Sequence, residues 1–148
     1  MPTATTPRTR LPIQYVALLY GVVFLLVGVL GFIPGITTDY DSLAIAGHHS
    51  EAMLLGVFQV SVLHNIVHLF YGVVGVVMGR TAITSRDYLR WGGVGYGLLW
   101  IYGLVVNHDS NANFVPLNTG DNWLHLGLAV TMIVLSFLRI RDRATTRP

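Results

Sequence analysis

The sequence predicts an all-α protein, an integral membrane bundle of four transmembrane helices. Of its 148 residues, 53% are hydrophobic and only 11% are charged, whereas charged residues make up about a quarter of an average soluble domain. The chain also contains four apolar stretches that reach the roughly 17 to 25 residues a helix needs to cross a bilayer. With so few charged side chains to cover a surface, the chain is expected to be embedded in the lipid bilayer.

The predicted spans follow from apolar length and from helix terminators. The first span has no charged residue and stops at Pro34-Gly35, a pair that ends helices. Its apolar run is longer than the core of a signal peptide, so we expect it to be retained. A short surface helix is predicted at 50–60, just before the second span. The predicted spans are 13–33, 62–79, 88–106 and 122–138.

The arginines predict the orientation of the bundle. The chain has no lysine, and its nine arginines all lie before the first span, between the second span and the first residues of the third, or after the fourth. Because positive charge is retained on the cytoplasmic side, the N-terminal tail (1–12) and the Arg-rich C-terminal tail (139–148) are predicted to be cytoplasmic. All six histidines then fall at the outer face, at His48, His49, His64, His68, His108 and His125.

The two halves of the chain resemble each other. The segment His64 to Leu69 is similar to Asp121 to Leu126, and Tyr20-Gly21 with Phe24 is similar to Tyr96-Gly97 with Trp100. Matches in the same order predict two parallel transmembrane hairpins related by an axis along the membrane normal.

Histidines and asparagines at the outer ends of the second and fourth spans are the candidate site. His64 and His68 are four residues apart, so they leave one helix face a turn apart, and the repeat places His125 at the depth of His68. Three imidazoles would suit zinc, copper or iron, and histidines on different helices could alternatively hold haem b. The competing interpretation is a structural polar network that also includes Asn65, Asn122, Asp121 and Asn107.

Several classes of chemistry have no support in the sequence. There is no cysteine, which excludes disulfides, thiolate metal sites and thiol catalysis. No phosphate loop, nucleophile elbow or dinucleotide fingerprint is present, so the sequence favours a non-enzymatic role but leaves the question open, and no catalytic residue is assigned. The arginines of the C-terminal tail suit anionic lipid headgroups, and no nucleic-acid partner is predicted.

The chain resembles a known family. The run LLGVFQVSVLHNIVHL from Leu54 to Leu69, followed by DNWLHL from Asp121 to Leu126, is similar to the family catalogued as domain of unknown function 4383. The resemblance covers roughly residues 13–140. It implies a four-helix protein of the bacterial plasma membrane, in a family found mainly in actinobacteria. It implies no activity.

Three functions remain open from the sequence. The first is a structural or partner-binding bundle that packs against the lipid bilayer, against itself as a homo-oligomer, or against a larger membrane complex. The second is a metal- or haem-binding membrane protein for sensing or electron transfer. The third is a small transporter that acts as an oligomer. It is the weaker alternative, because the carboxylates do not lie deep in any span.

Overall fold

The structure is a computed structural model that describes residues 9–139. Within this range the chain forms four α-helices, which confirms the predicted all-α bundle. They are α1 (Pro12–Leu30), α2 (Val62–Met78), α3 (Ala82–Val105) and α4 (Thr119–Leu135). The connection between α1 and α2 holds a 3-10 turn (Tyr40–Ser42) and a small antiparallel sheet of β1 (Thr37–Thr38), β2 (Met53–Leu54) and β3 (Phe58–Gln59), in that order. Most of the predicted Arg-rich tail, at 140–148, lies outside the described residues, as do residues 1–8.

Helix boundaries differ from the predicted spans where polar caps, and not hydropathy, decide them. α2 matches its prediction within one residue. α3 begins six residues before its predicted start, because the Thr81 hydroxyl accepts the Thr84 N–H at 3.2 Å and a polar first turn follows. α4 begins three residues early, since Asn118 caps it by accepting the Asp121 N–H at 2.9 Å. α1 ends at Leu30 and not at residue 33.

The predicted surface helix at 50–60 is wrong. The structure places β2 and β3 in this segment, paired with each other and, through β2, with β1. Between the two strands, Leu55 has φ 55° and Gly56 has φ 69°. These left-handed values reverse the chain and are incompatible with a continuous right-handed helix. The apolar run therefore builds a hairpin that lies over the end of the bundle.

Each pair of consecutive helices packs at a contact that only small residues allow. α1 with α2, and α3 with α4, are the two most extensive helix pairs. A Cβ placed on Gly21 of α1 would lie 2.7 Å from the Val76 backbone nitrogen of α2. A Cβ on Gly93 of α3 would lie 2.7 Å from the Ile133 side chain and 3.0 Å from the Ala129 carbonyl oxygen of α4. Such close packing of small residues is typical of helix pairs in membranes.

The internal repeat is present, but its predicted register between the first and third helices is wrong by one helical turn. In the structure Gly21 makes the contacts that Gly93 makes, and not Gly97, whose nearest neighbour to an added Cβ is 3.9 Å away. Phe24 accordingly corresponds to Tyr96. The match between α2 and α4 holds, with Asn65 equivalent to Asn122 and His68 to His125. Sequence similarity misplaced the first pair because Tyr-Gly occurs in both helices at different depths.

The two hairpins meet mainly through aromatic rings and a few polar contacts. The rings of Phe24 and Tyr96 stack with centroids 5.5 Å apart and planes 9° apart. The Tyr20 hydroxyl reaches the Thr131 hydroxyl at 2.7 Å, which links α1 to α4. At the opposite end from the sheet, the Gln14 amide donates to the Arg80 carbonyl at 2.7 Å, which ties the start of α1 to the end of α2.

The outward faces of all four helices are apolar and exposed. Leu19 of α1, Phe70 of α2, Leu98 of α3 and Val134 of α4 are each more than 60% exposed. By length and composition, one helix among the described residues, Pro12–Leu30, is long and apolar enough to cross a membrane, and Val62–Met78 is a shorter apolar helix.

We expect Gly21→Ala to destabilise the bundle by about 1 to 3 kcal/mol, because the new methyl group meets the backbone of α2 and cannot be relieved by a side-chain rotation. Thermal unfolding of the purified chain in detergent measures the change. Gly95→Ala is the matched control, since a Cβ there has no atom within 4 Å and alanine favours the helix. Equal unfolding temperatures for the two variants would contradict the close-contact assignment.

Candidate functional site: a buried polar layer

Six polar side chains are buried together at the sheet-bearing end of the bundle, and we call them the polar layer. α2 supplies three from its first two turns and α4 supplies three from its first two turns. None is more than 9% exposed. Burial of so many polar groups is costly unless they find partners, so their contacts define what this layer does. Its members are His64, Asn65, His68, Asp121, Asn122 and His125.

The two asparagines of the polar layer occupy equivalent places against glycines. A Cβ on Gly31, just after α1, would overlap the Asn65 Oδ1 atom, and a Cβ on Gly103 of α3 would overlap the Asn122 Oδ1 atom. Each amide therefore fills the space that a side chain on the partner helix would take. The repeat thus extends to the packing of individual side chains.

A row of four rings crosses the bundle beneath the asparagines. His68 lies 5.5 Å from Phe24, edge to face. Phe24 stacks on Tyr96, and Tyr96 lies 5.3 Å from His125. Each hairpin contributes one histidine and one aromatic ring at equivalent positions, so the row is approximately two-fold symmetric. It joins α2 to α4 through α1 and α3.

His64 is held between the connection and its own helix. Its Nδ1 atom lies 3.2 Å from the Gln59 carbonyl oxygen of β3, and its Nε2 atom lies 2.8 Å from the Nε2 atom of His68. The Nδ1 atoms of His68 and His125 are buried and have no hydrogen-bond partner within residues 9–139.

Asp121 binds the same residue of the connection from the other hairpin. Its Oδ2 atom accepts the Gln59 backbone N–H at 3.0 Å and the Asn118 N–H at 3.0 Å. In the repeat, Asp121 is equivalent to His64, so the two equivalent side chains hold the N–H and the C=O of one residue, Gln59. The Asn118 amide adds a hydrogen bond to the Val57 carbonyl at 2.8 Å. We call the contacts of His64 and Asp121 with the backbone of Gln59 the Gln59 clasp.

Further hydrogen bonds hold the connection in place. The Gln59 side chain donates to the Ser50 carbonyl at 2.7 Å, and the buried Ser50 hydroxyl donates to the Val60 carbonyl at 2.5 Å. The N–H groups of Val62 and Leu63, at the start of α2, bond to the carbonyls of residues 44 and 45 at 3.0 and 2.9 Å. The connection therefore supplies acceptors to N–H groups that the start of a helix leaves free.

The structure brings together all but one of the residues of the predicted site. His64, Asn65, His68, Asp121, Asn122 and His125 are brought together as buried residues. Asn107 is apart from them, because it is exposed and accepts the N–H of Asp109 at 3.0 Å in a local turn. Within residues 9–139 no group of three or more His, Asp or Glu side chains is arranged to hold a metal ion. Ligation by His64, His68 and His125 stays a prediction.

Sequence reasoning missed several residues that build this layer. Gln59 is central to it, but its role is carried by backbone atoms that every residue has. Gly31 and Gly103 face the asparagines and gave no signal among sixteen glycines. The capping role of Asn118 could have been found, since Asn-x-x-Asp before an apolar run is a helix start in which each residue caps the other.

A comparison with known proteins places the chain in a family. The family model described as "Domain of unknown function (DUF4383)" matches residues 14–138, which is nearly all of the bundle. The chain belongs to this family. The resemblance predicted from the two His/Asn segments is thereby confirmed. No curated protein and no solved structure matches the DUF4383 chain.

We expect Asp121→Ala to destabilise the protein by about 1 to 3 kcal/mol, because it leaves the N–H groups of Gln59 and Asn118 without their acceptor. Asp121→Asn should cost less, since the amide oxygen can still accept. Thermal unfolding in detergent measures both. Asp109→Ala, an exposed carboxylate in the neighbouring loop, is the matched control. A loss for Asp109→Ala as large as that for Asp121→Ala would argue against the Gln59 clasp.

Proposed function

We propose that this DUF4383 protein is a multi-pass protein of the bacterial plasma membrane that acts as a structural, partner-binding bundle, and that the Gln59 clasp closes its outer end. The observation that carries the structural role is that His64 and Asp121 both bind the backbone of Gln59. These two buried side chains join the two hairpins through the connection.

The exposed apolar faces support a membrane location. In water, apolar patches larger than a few hundred Å² mark interaction surfaces or cause aggregation. Here the apolar faces occur on all four helices, and examples more than 60% exposed include Leu19, Phe70, Leu98 and Val134. Lipid is a solvent in which such faces carry no penalty. α2 and α4 have 17 residues each, about 25 Å at 1.5 Å per residue, and small mismatches with bilayer thickness are accommodated at modest cost.

The positions of the arginines support cytoplasmic termini. Consecutive helices are antiparallel, as the bond from Gln14 to Arg80 shows for α1 and α2. Arg10, the cluster Arg80 to Arg90, and Arg139 therefore belong to the end away from the sheet. By the positive-inside rule this end is cytoplasmic, and the sheet and polar layer belong outside.

The partner is proposed to be lipid together with either a second copy of the chain or a larger membrane complex. The support is compositional and geometric. Helix faces so apolar fit lipid or other spanning helices, and the polar layer is engaged in packing and capping.

A metal or haem b site is the second candidate, and one observation favours it. The Nε2 atoms of His64 and His68 approach to 2.8 Å, and the Gln59 carbonyl orients His64 as a backbone acceptor orients many metal-bound histidines. Metal analysis and a visible absorption spectrum of protein purified from its host decide the matter. A colourless, metal-free protein that rejects added zinc, copper and haem would remove this candidate.

We expect an added cysteine at Asn111, an exposed residue between α3 and α4, to react with a membrane-impermeant maleimide in intact cells. A cysteine at Thr145, in the C-terminal tail, should react only after the cells are permeabilised. The natural chain has no cysteine, so it serves as the unlabelled control. If only Thr145→Cys were labelled in intact cells, the orientation would be the opposite of the one proposed. Recovery of the protein in the soluble fraction would refute the membrane proposal.

We expect His64→Ala, His68→Ala and His125→Ala each to lower the unfolding temperature in detergent, corresponding to about 1 to 3 kcal/mol, because each removes a buried ring and its contacts. His49→Ala, an exposed histidine of the connection, is the control and should have no effect. If the three buried variants unfold at the wild-type temperature, the structural role of the polar layer is wrong.

A further inference from the structure

His68 carries a buried nitrogen that has no partner. Its side chain is 7% exposed, and its Nδ1 atom forms no hydrogen bond within the described residues. Buried polar atoms in proteins are nearly always paired with protein or with ordered water. Its ring neighbour on α1 is Phe24, whose side chain has no hydrogen-bond donor.

The hydrogen bonds around His64 determine which proton each imidazole carries. The Gln59 carbonyl oxygen can only accept, so the Nδ1 atom of His64, at 3.2 Å, must be the donor. In a neutral imidazole the other nitrogen is then an acceptor. The Nε2 atom of His68, 2.8 Å from the Nε2 atom of His64, must therefore carry a proton and donate it.

The consequence is that the Nδ1 atom of His68 presents a lone pair to the interior. A neutral imidazole carries one proton, and in His68 that proton is on Nε2. A second proton would make His68 a buried cation, which is costly without a paired anion, and neither imidazole is hydrogen-bonded to a carboxylate within residues 9–139. His68 therefore donates to His64, and His64 donates to the Gln59 carbonyl. The Nδ1 atom of His68 is an acceptor that has no donor among the described residues.

We propose that the polar layer binds an O–H donor at the Nδ1 atom of His68. The donor is a buried water molecule or the hydroxyl group of a small uncharged molecule. A group that both donates and accepts suits this layer, because the Oδ1 and Nδ2 atoms of Asn65, one turn earlier on the same helix, are also buried and have no hydrogen-bond partner among the described residues. A buried water commonly forms about three hydrogen bonds to groups of this kind.

The repeat extends the inference to α4. His125 is equivalent to His68, is 4% exposed, and has a buried Nδ1 atom without a partner. Asn122, equivalent to Asn65, has an unpartnered Oδ1 atom. The same pair of residue types therefore leaves an asparagine Oδ1 atom and a histidine Nδ1 atom without a partner in both hairpins. This goes beyond the structural role proposed above, which uses His64 and Asp121 and does not need a ligand at His68 or His125.

Nitrogen-15 NMR of histidine-labelled full-length protein in lipid nanodiscs tests the proposal. Each imidazole signal is assigned through its covalent bonds to the backbone. The experiment therefore needs no substituted protein, which could fail to fold. We expect His64 protonated on Nδ1 and His68 protonated on Nε2, with the His68 Nδ1 signal shifted from that of a free acceptor nitrogen to that of one accepting a hydrogen bond. His49, in the exposed part of the connection, is the internal control and should show averaged tautomers.

The two sources of the donor are separated in the same sample. A magnetisation transfer from water to the site indicates an internal water, whereas its absence, with a hydroxyl compound found by mass spectrometry of the extracted protein, indicates a small molecule. Either result supports the proposal. The reverse tautomer on His68, a free acceptor signal at its Nδ1 atom, or a metal ion at that atom would overturn it. None of these outcomes depends on the unfolding temperatures that test the structural role.

Discussion

The close approach of the two helices inside each hairpin is the constraint on which the rest of the structure depends. Gly21 meets the backbone of α2, and Gly93 meets α4, with no room for a side chain between them. This contact fixes the rotation and the depth of each helix relative to its partner. Asn65 and Asn122 can then lie against Gly31 and Gly103, and His68 and His125 are brought to the aromatic pair at the centre.

The two hairpins are equivalent in packing but not in chemistry. At the position before each asparagine, one hairpin has His64 and the other has Asp121. An imidazole N–H and a carboxylate oxygen have opposite hydrogen-bonding roles, so together they can hold the carbonyl and the N–H of Gln59. Two carboxylates at these positions could not do so, because neither could donate to the carbonyl. The difference between the two hairpins at this position is therefore suited to fastening one segment, β3, to both halves.

The connection between α1 and α2 has a structural role as well as a linking one. It places Gln59 between the two equivalent side chains, and it supplies carbonyls to the first N–H groups of α2. The left-handed residues Leu55 and Gly56 reverse the chain so that β3 arrives in the correct place. The end of the bundle is thus closed by a short sheet, which satisfies backbone groups that the helices alone leave free.

The sequence by itself determined the four helices, the pairing of the halves and the six members of the polar layer. These follow from apolar length and from the repeated Asn-x-x-His, which are local patterns. Tertiary structure decided the hairpin at 50–60, where the sequence predicted a helix, the register of α1 against α3, and the role of Gln59. The physical reason is that these features depend on contacts between residues far apart in the chain. An apolar run pairs as strands only when β1 is beside it, a glycine matters only when a neighbour fills its space, and a backbone N–H gives no signal in the sequence.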